Sequence, residues 1–376
     1  MENIIFSCGL AFLITFFSIP VIIEVAKDKK LFDEPGERKV HNVVIPTLGG
    51  LGIFAGFILA TLIGVPPSEA SVLQYFIAAI MIIFFMGIKD DILILTATKK
   101  FVGQLIAAGI IIKFGGIEIN NLYGIFGIHA LPPTASFLIT LFTIVVITNS
   151  FNLIDGVDGL AGSLGLITSL IFGIYFFLSG QTLYAVMAIA LAGSLIGFLI
   201  YNFHPARIFM GDTGSLLIGL LNSILVIRFI NIASDPSSVL PLASAPALGF
   251  AILIVPLFDT LRVVSMRIVN RHSPFCPDRN HIHHFLLDIG LSHKMITLVC
   301  VITNLLLITM AYFIRSTGPS IVMLSLTGVS ILLVTIVSYI RPRKKIVVTN
   351  GHLHEEQIIP SHKILTIAGG ETVPQD

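Results

Sequence analysis

The stretch Asn149-Ser-Phe-Asn152-Leu-Ile-Asp155-Gly-Val-Asp158-Gly sets four oxygen-bearing side chains three residues apart. In a tightened turn positions i and i+3 eclipse, so the four would present their oxygens on one wall. Gly156 and Gly159 would relieve crowding and let a ligand approach the backbone. A second acidic group is the adjacent pair Asp90-Asp91. Acids at a helix C-terminus oppose its macrodipole and adjacent anions repel, so a cation must compensate. Lys99, Lys100 or a bound Mg²⁺ would serve. A third motif, Phe209-Met-Gly211-Asp212-Thr-Gly214-Ser215, has two readings. Either Asp212 or Thr213 caps the helix that follows, or glycines expose N–H groups for an anion while Asp212 holds a divalent metal. Asn202 and His204 lie just upstream.

The fourth motif, Ser273-Pro-Phe-Cys-Pro-Asp278-Arg279-Asn-His281-Ile-His283-His284, suggests zinc at first sight. Zinc sites prefer His at i and i+4 on a helix, or Cys partners, and neither is present here. With Arg271 and Arg279 the cluster reads better as a donor array for phosphate or sugar oxygens. The segment joining the first two apolar runs, Asp33 to Gly50, adds Arg38, Lys39 and His41. Asp259 lies inside an apolar run, but Arg262 one turn away is its natural partner, a structural pairing. Carboxylates and Asn amides without Cys select a hard cation, Mg²⁺ or Mn²⁺. Such an ion, with lysines, histidines and a helix N-terminus, is the equipment of phosphate chemistry.

The elements that must position these groups follow from composition. The chain has 376 residues, 22 Lys+Arg against 21 Asp+Glu, and a formal charge of +1. No basic field points to nucleic acid. Charged residues are 11% and apolar ones 55%, with mean hydropathy +0.97. Ordinary soluble domains carry roughly 25% charge, so this is an integral membrane protein. Lipid cannot solvate an unpaired backbone, which makes the fold all-α. A span needs about 20 apolar residues, and eleven transmembrane helices are expected near 3–26, 48–66, 71–89, 101–115, 134–152, 159–178, 182–201, 214–232, 241–267, 295–315 and 319–340.

Lys and Arg fix the direction. Segments 27–47 and 89–100, the region after 267, and Arg341, Arg343, Lys344 and Lys345 are rich in them. Placing those in the cytoplasm puts the N-terminus outside and the C-terminus inside. Every motif above then falls on cytoplasmic loops or helix ends. The longest outer loop, 116–133, reads as a hairpin or re-entrant piece. Residues 1–341 form the transmembrane domain and 342–376 a short cytoplasmic tail with room for a strand or two. Cys8, Cys276 and Cys300 have no CxxC spacing and read as inert thiols. No cleavable signal peptide is evident, since the positive cluster follows the first apolar run. A site at the cytoplasmic membrane face suits a water-soluble nucleotide meeting a lipid. A transporter of a phosphorylated or lipid-linked solute is the alternative, but it would put polar groups near the midplane, often in repeated halves. No repeat is seen.

The motifs resemble, in order, those of the polyprenyl-phosphate N-acetylhexosamine-1-phosphate transferases, the glycosyltransferase 4 family. Asp90-Asp91 with Lys100, Asn149-x-x-Asn152-x-x-Asp155-Gly-x-Asp158-Gly, Phe209-Met-Gly-Asp212 and the His281-Ile-His283-His284 segment carry the resemblance over about residues 30–340. The last is closest to the WecA/TagO-like branch, and MraY is more distant. The resemblance implies N-acetylglucosamine-1-phosphate transfer from UDP-N-acetylglucosamine to undecaprenyl phosphate, releasing UMP, at the bacterial inner or plasma membrane. It serves cell-wall, lipopolysaccharide or teichoic acid biosynthesis. Another UDP-N-acetylhexosamine, or UDP-MurNAc-pentapeptide, is the alternative donor.

By position the resemblance makes Asp212 the principal Mg²⁺ ligand, with Mn²⁺ a substitute and Asp90 and Asp91 as candidate co-ligands or acceptor-positioning acids. Lys100 binds pyrophosphate. Asp155 and Phe209 contact uridine, with Asn149, Asn152, Asp158 and Asn202 nearby. His281, His283, His284 and Arg279 approach the donor, and Lys39 and His41 of the basic loop are candidate substrate-binding residues. A homodimer is suggested. Single displacement is favoured, because the acceptor phosphate is already largely a dianion at pH 7. A double displacement through an Asp-phosphate is its rival.

Overall fold

The computed structural model describes residues 2–29, 45–271, 273 and 280–342, and the backbone of two strands at 345–349 and 352–356. Thirteen α-helices are described, in chain order: α1 (Glu2–Asp28), α2 (Gly49–Gly64), α3 (Ala70–Ile92), α4 (Ala97–Lys113), α5 (Pro133–Ile154), α6 (Leu160–Leu178), α7 (Thr182–Asn202), α8 (Gly211–Ala233), α9 (Ala245–Ile252), α10 (Ile254–Val269), α11 (Ile282–Asp288), α12 (His293–Phe313) and α13 (Pro319–Ile340). Each expected apolar run is helical. Among the described residues eight helices are long and apolar enough to cross a membrane, or nine if the broken pair α9–α10 counts as one. The runs near 48–66 and 101–115 form helices of only 16 and 17 residues.

Burial shows which helices are central. In α7 and α8, 78% of the most apolar stretch is buried, against 22% in α1 and 17% in α13. A helix apolar all round yet exposed faces hydrocarbon, so the outer helices are the lipid-facing layer. Around the centre, α1 packs on α7 and α2, α5 on α8, and α3 on α8 and α4. The ends of α3, α5 and α8 that carry motifs meet at the start of α4.

The run 241–267 is not one span. Between α9 and α10 the chain turns by 84° at Leu253. The cause is readable. Pro256 has no N–H to give the carbonyl of Ile252 four residues back. Nδ2 of the fully buried Asn304 on α12 donates to that carbonyl at 3.1 Å, and Oδ1 of Asn304 accepts from Val255 N at 3.3 Å. Pro20 inside α1 is handled alike. It leaves the Phe16 carbonyl without its helical donor, and Tyr201 Oη donates to it at 3.2 Å.

The loop between α4 and α5 is the expected hairpin. Strand β1 (Asn121–Ile125) pairs antiparallel with β2 (Ile128–Ala130). Ser320 Oγ at the start of α13 accepts from Phe126 N at 2.7 Å and holds the hairpin tip. In the C-terminal segment β3 (Lys345–Thr349) and β4 (His352–Glu356) form a second antiparallel pair, with Lys345 opposite Glu356.

Candidate active site

Four helix ends converge on Lys100. Asp90 ends α3, and its Oδ2 lies 2.6 Å from Lys100 Nζ. Asp212, in the first turn of α8, brings Oδ2 to 2.6 Å of the same nitrogen. Asn152 in the last turn of α5 donates from Nδ2 to Asp212 Oδ1 at 3.0 Å and to Ser215 Oγ at 3.0 Å. Asp155 follows α5 directly. Lys100 is therefore the cation that the sequence demanded between its acids, and it joins two carboxylates 122 residues apart in the chain.

Asp91 does something else. Its Oδ1 accepts from Asp212 N at 2.7 Å, and its Oδ2 accepts from Thr213 N at 3.1 Å and Thr213 Oγ1 at 2.6 Å. It caps α8 across helices, filling the N-terminal anion position with a carboxylate of the protein itself. The expectation of an open anion site formed by the glycines is thereby corrected. Gly211 is needed for this closure. Its φ is +71°, and a Cβ there would meet both Asp91 carboxylate oxygens at 2.7 Å. The distinction between Asp90 and Asp91 is clear. Asp90 accepts from Leu95 N at 2.6 Å and faces Lys100, while Asp91 is committed to the first turn of α8.

The four-residue oxygen wall does not form. Residues 149–154 remain α-helical, and three α-helical residues advance about 300°, so side chains at i and i+3 diverge by about 60°. Asn149 accordingly turns to Gln104, to which it donates at 2.6 Å, and to the Val145 carbonyl. Asn202 is buried and committed to backbone: its Oδ1 accepts from Gly159 N and its Nδ2 donates to the Ile208 carbonyl, both at 2.9 Å. Phe209 fixes the chain through backbone bonds, donating to Pro46 and accepting from Gly49.

The histidine motif arrives from the other side. Asp259 on α10 accepts from Arg262 at 2.8 Å and Ile282 N at 3.0 Å, and its Oδ2 lies 2.8 Å from His281 Nδ1. The expected Asp259–Arg262 pair thus exists and also anchors His281. His283 packs directly on Gly156, where any Cβ would collide with its ring. His284 stacks obliquely on His283 with centroids 4.2 Å apart. Nδ1 of His283 is buried with no hydrogen-bond partner among the described residues. Burial, then His284, holds this imidazole down at about 3, so it is neutral at pH 7.

Asp158 pairs with His204 and His293. Burial alone would raise it, but bonds and charge from His293 and His204 outweigh this and hold it down at about 2. Sequence reasoning missed His293, whose Ser-His-Lys context reads as a plain helix start, and Gln104, which sits one turn beyond Lys100. Lys39, His41 and Arg279 lie outside the described residues.

The site's oxygen donors fit a divalent cation. No donor among the described residues reaches the Asp155 carboxylate. Desolvation first, then the like charges of Asp212, Asp91 and Asp158, push it up to about 8. An acid so placed, beside Asp212, has the character of a hard-cation ligand.

A family model described as glycosyl transferase family 4 matches residues 73–230. A probable undecaprenyl-phosphate N-acetylglucosaminyl 1-phosphate transferase of Bacillus subtilis (strain 168) is 34% identical over 318 residues, 82% of this chain and 85% of that protein. A decaprenyl-phosphate N-acetylglucosaminephosphotransferase of Mycobacterium leprae is 36% identical over 77% of this chain and 78% of its own. An undecaprenyl-phosphate alpha-N-acetylglucosaminyl 1-phosphate transferase of Escherichia coli (strain K12) is 29% identical over 75% and 76%.

Proposed function

Because the chain belongs to glycosyl transferase family 4, we propose that it transfers N-acetylglucosamine-1-phosphate from UDP-N-acetylglucosamine to a polyprenyl phosphate, undecaprenyl phosphate in a bacterium, and releases UMP. The observation that carries this reading is the meeting of Asp90, Asp212 and Asn152 at Lys100, with Asp155 adjacent. Phosphoryl transfer asks a protein chiefly for positioning and charge, and these residues supply both.

Asp212, Asp155 and Asp90 would hold a divalent ion, Mg²⁺ with Mn²⁺ as substitute. When bound, such an ion neutralises pyrophosphate oxygens and the charge that develops on departing UMP. Lys100, held between Asp90 and Asp212, is placed to exchange one carboxylate for a donor phosphate oxygen. Asn152 keeps Asp212 turned inward. His283, neutral and half of it uncommitted, offers a ring nitrogen beside Asp155-Gly156 to the donor, and Asp259 sets His281 in the same face. An acceptor phosphate oxygen attacks the sugar-bearing phosphorus, the bond to the bridging oxygen breaks, and UMP leaves with that oxygen. The attacking oxygen is already ionised near pH 7, so no base need remove a proton. The reaction takes place on the cytoplasmic side of a multi-pass protein, as the Lys and Arg distribution argues.

The test is UMP release by purified protein from UDP-N-acetylglucosamine, with Mg²⁺ and polyprenyl phosphate each omitted in turn. Release that survives omission of the lipid refutes the transfer. A panel with the galacto epimer and UDP-MurNAc-pentapeptide fixes the donor.

A further inference from the structure

The short helix α11, which bears His283 and His284, is held at both ends through arginine. At its start Asp259 accepts from Arg262 at 2.8 Å and lies 2.8 Å from His281 Nδ1, and Arg262 also donates to the Asn280 carbonyl. At its end stands Asp288, an acid beside the unpaired carbonyls of the last turn, where the helix dipole asks for a cation. Arg341, the residue that follows α13, supplies it. Its Nε donates to Asp288 Oδ2 at 2.7 Å, and a terminal nitrogen meets the same oxygen. The Arg341 guanidinium also lies 4.3 Å from the centroid of the buried Phe285 ring, and that of Arg262 lies 5.2 Å from it. A basic residue at this end of α13 is expected from topology alone. Its aim at two residues of one short helix is not.

We infer that Arg341 is a positioning residue for donor binding: through Asp288 and Phe285 it fixes the rotation of α11, and with it the reach of His283 and His284. This rests on the transferase reading above. Phe285 and Asp288 are three residues apart and share a face of α11. By helical pitch His283 lies about 140–160° round the helix from them, on the opposite face, where it packs on Gly156. A hold on the Phe285 face therefore sets how closely His283 meets the turn after Asp155. With side chains reaching about 5–6 Å from the axis, a turn of α11 by about 20° moves the His283 ring by about 2 Å. A misplacement of about 1 Å is enough to cost about 10²-fold in rate. The body of α13 adds little to this hold. Only 17% of its most apolar stretch is buried, and an apolar cavity of about 190 Å³, lined by Phe258, Leu286, Cys300, Leu333 and Val337, lies between it and its neighbours. One ion pair and one ring contact at its C-terminal end make the connection.

Hydrogen–deuterium exchange and steady-state kinetics on the full-length protein in detergent test this. In Arg341→Ala and Asp288→Asn, the amides of residues 282–291 are expected to exchange about tenfold faster, while those of α8 and α12 keep their wild-type rates. For UDP-N-acetylglucosamine KM rises and kcat/KM falls by about ten- to a hundredfold. KM for polyprenyl phosphate stays within about twofold of wild type. Arg341→Lys, which keeps a charge against Asp288, recovers most of the loss. A merely structural tie would lower kcat through a smaller folded fraction and leave both KM values alone. Wild-type exchange at α11 in Arg341→Ala, or an unchanged KM for the donor, overturns the positioning role. Asp288 is a partly exposed side chain, so its variant decides the matter if Arg341→Ala does not fold. Exchange needs no turnover: a wild type that releases no UMP refutes the transferase reading, and exchange at α11 still decides whether Arg341 holds it.

Discussion

At the scale of residues, two neighbouring acids have divided the work, and variants should separate them. Lys100→Met removes the cation between Asp90 and Asp212, and kcat/KM is expected to fall by about 10²–10³, the loss typical of a preorganised charge donor. Asp212→Asn should fall as far. Asp91→Asn puts an N–H donor against the N–H groups of α8, which costs about 1–3 kcal/mol for a buried polar group left unpaired. It should show as a lowered Tm, which Lys100→Met does not share. If Asp90→Asn and Asp91→Asn both retain turnover, a covalent Asp-phosphate has no residue in this pair to form on. Asp155 predicts a pH effect with a definite sign. Without a divalent ion its carboxyl, pushed up to about 8, keeps a proton in the folded chain, while the unfolded chain loses it near 3.9. Stability therefore falls as pH rises from about 4 to 8. In EDTA, Asp155→Asn should raise the Tm more at pH 8 than at pH 5, while activity with Mg²⁺ is lost. The sequence displayed all these acids but not their allocation. Asp90 and Asp91 look alike on paper, and only the approach of Gly211 tells which is capped.

At the scale of elements, the break between α9 and α10 rests on one buried amide. Asn304→Leu should remove both bonds to the break and lower the Tm by an amount corresponding to about 1–2 kcal/mol, within the range of interhelical polar bonds in membrane proteins. Activity should fall as well, because α10 carries Asp259 and with it His281. Calorimetry or thermal unfolding in detergent, alongside UMP release, checks both. The positions of the helices were legible from apolar runs, and Pro256 was a visible cue to the bend. The partner on α12 was not, since an Asn in an apolar run looks the same whether it caps a broken helix or faces a cavity. The same limit explains Asn149 and Asn202: their spacing suggested a shared wall, but helical pitch sent one to Gln104 and the backbone claimed the other.

At the scale of the whole molecule, the structure gathers the Asp90, Asn152 and Asp212 motifs around Lys100 and sets His283 of the histidine motif against Gly156, where the sequence had offered only polar segments recurring on one side of a membrane protein. What could not be read was that Asp158 pairs with imidazoles while the other acids gather about Lys100, because that difference depends on contacts between α12 and the turn after α5. Orientation itself is testable. In a variant lacking Cys8, Cys276 and Cys300, an impermeant thiol reagent should label Lys99→Cys only in inverted vesicles and Val239→Cys only in intact cells. The reverse pattern would invert the topology.

The cap that Asp91 places on α8 also bears on biogenesis. Asp212 is aimed only when α3, inserted early, has received a helix synthesised more than a hundred residues later. A nascent or truncated product that stalls before that docking has no assembled centre. It is inert, and cannot idly hydrolyse the cell's pool of activated sugar while awaiting repair or degradation.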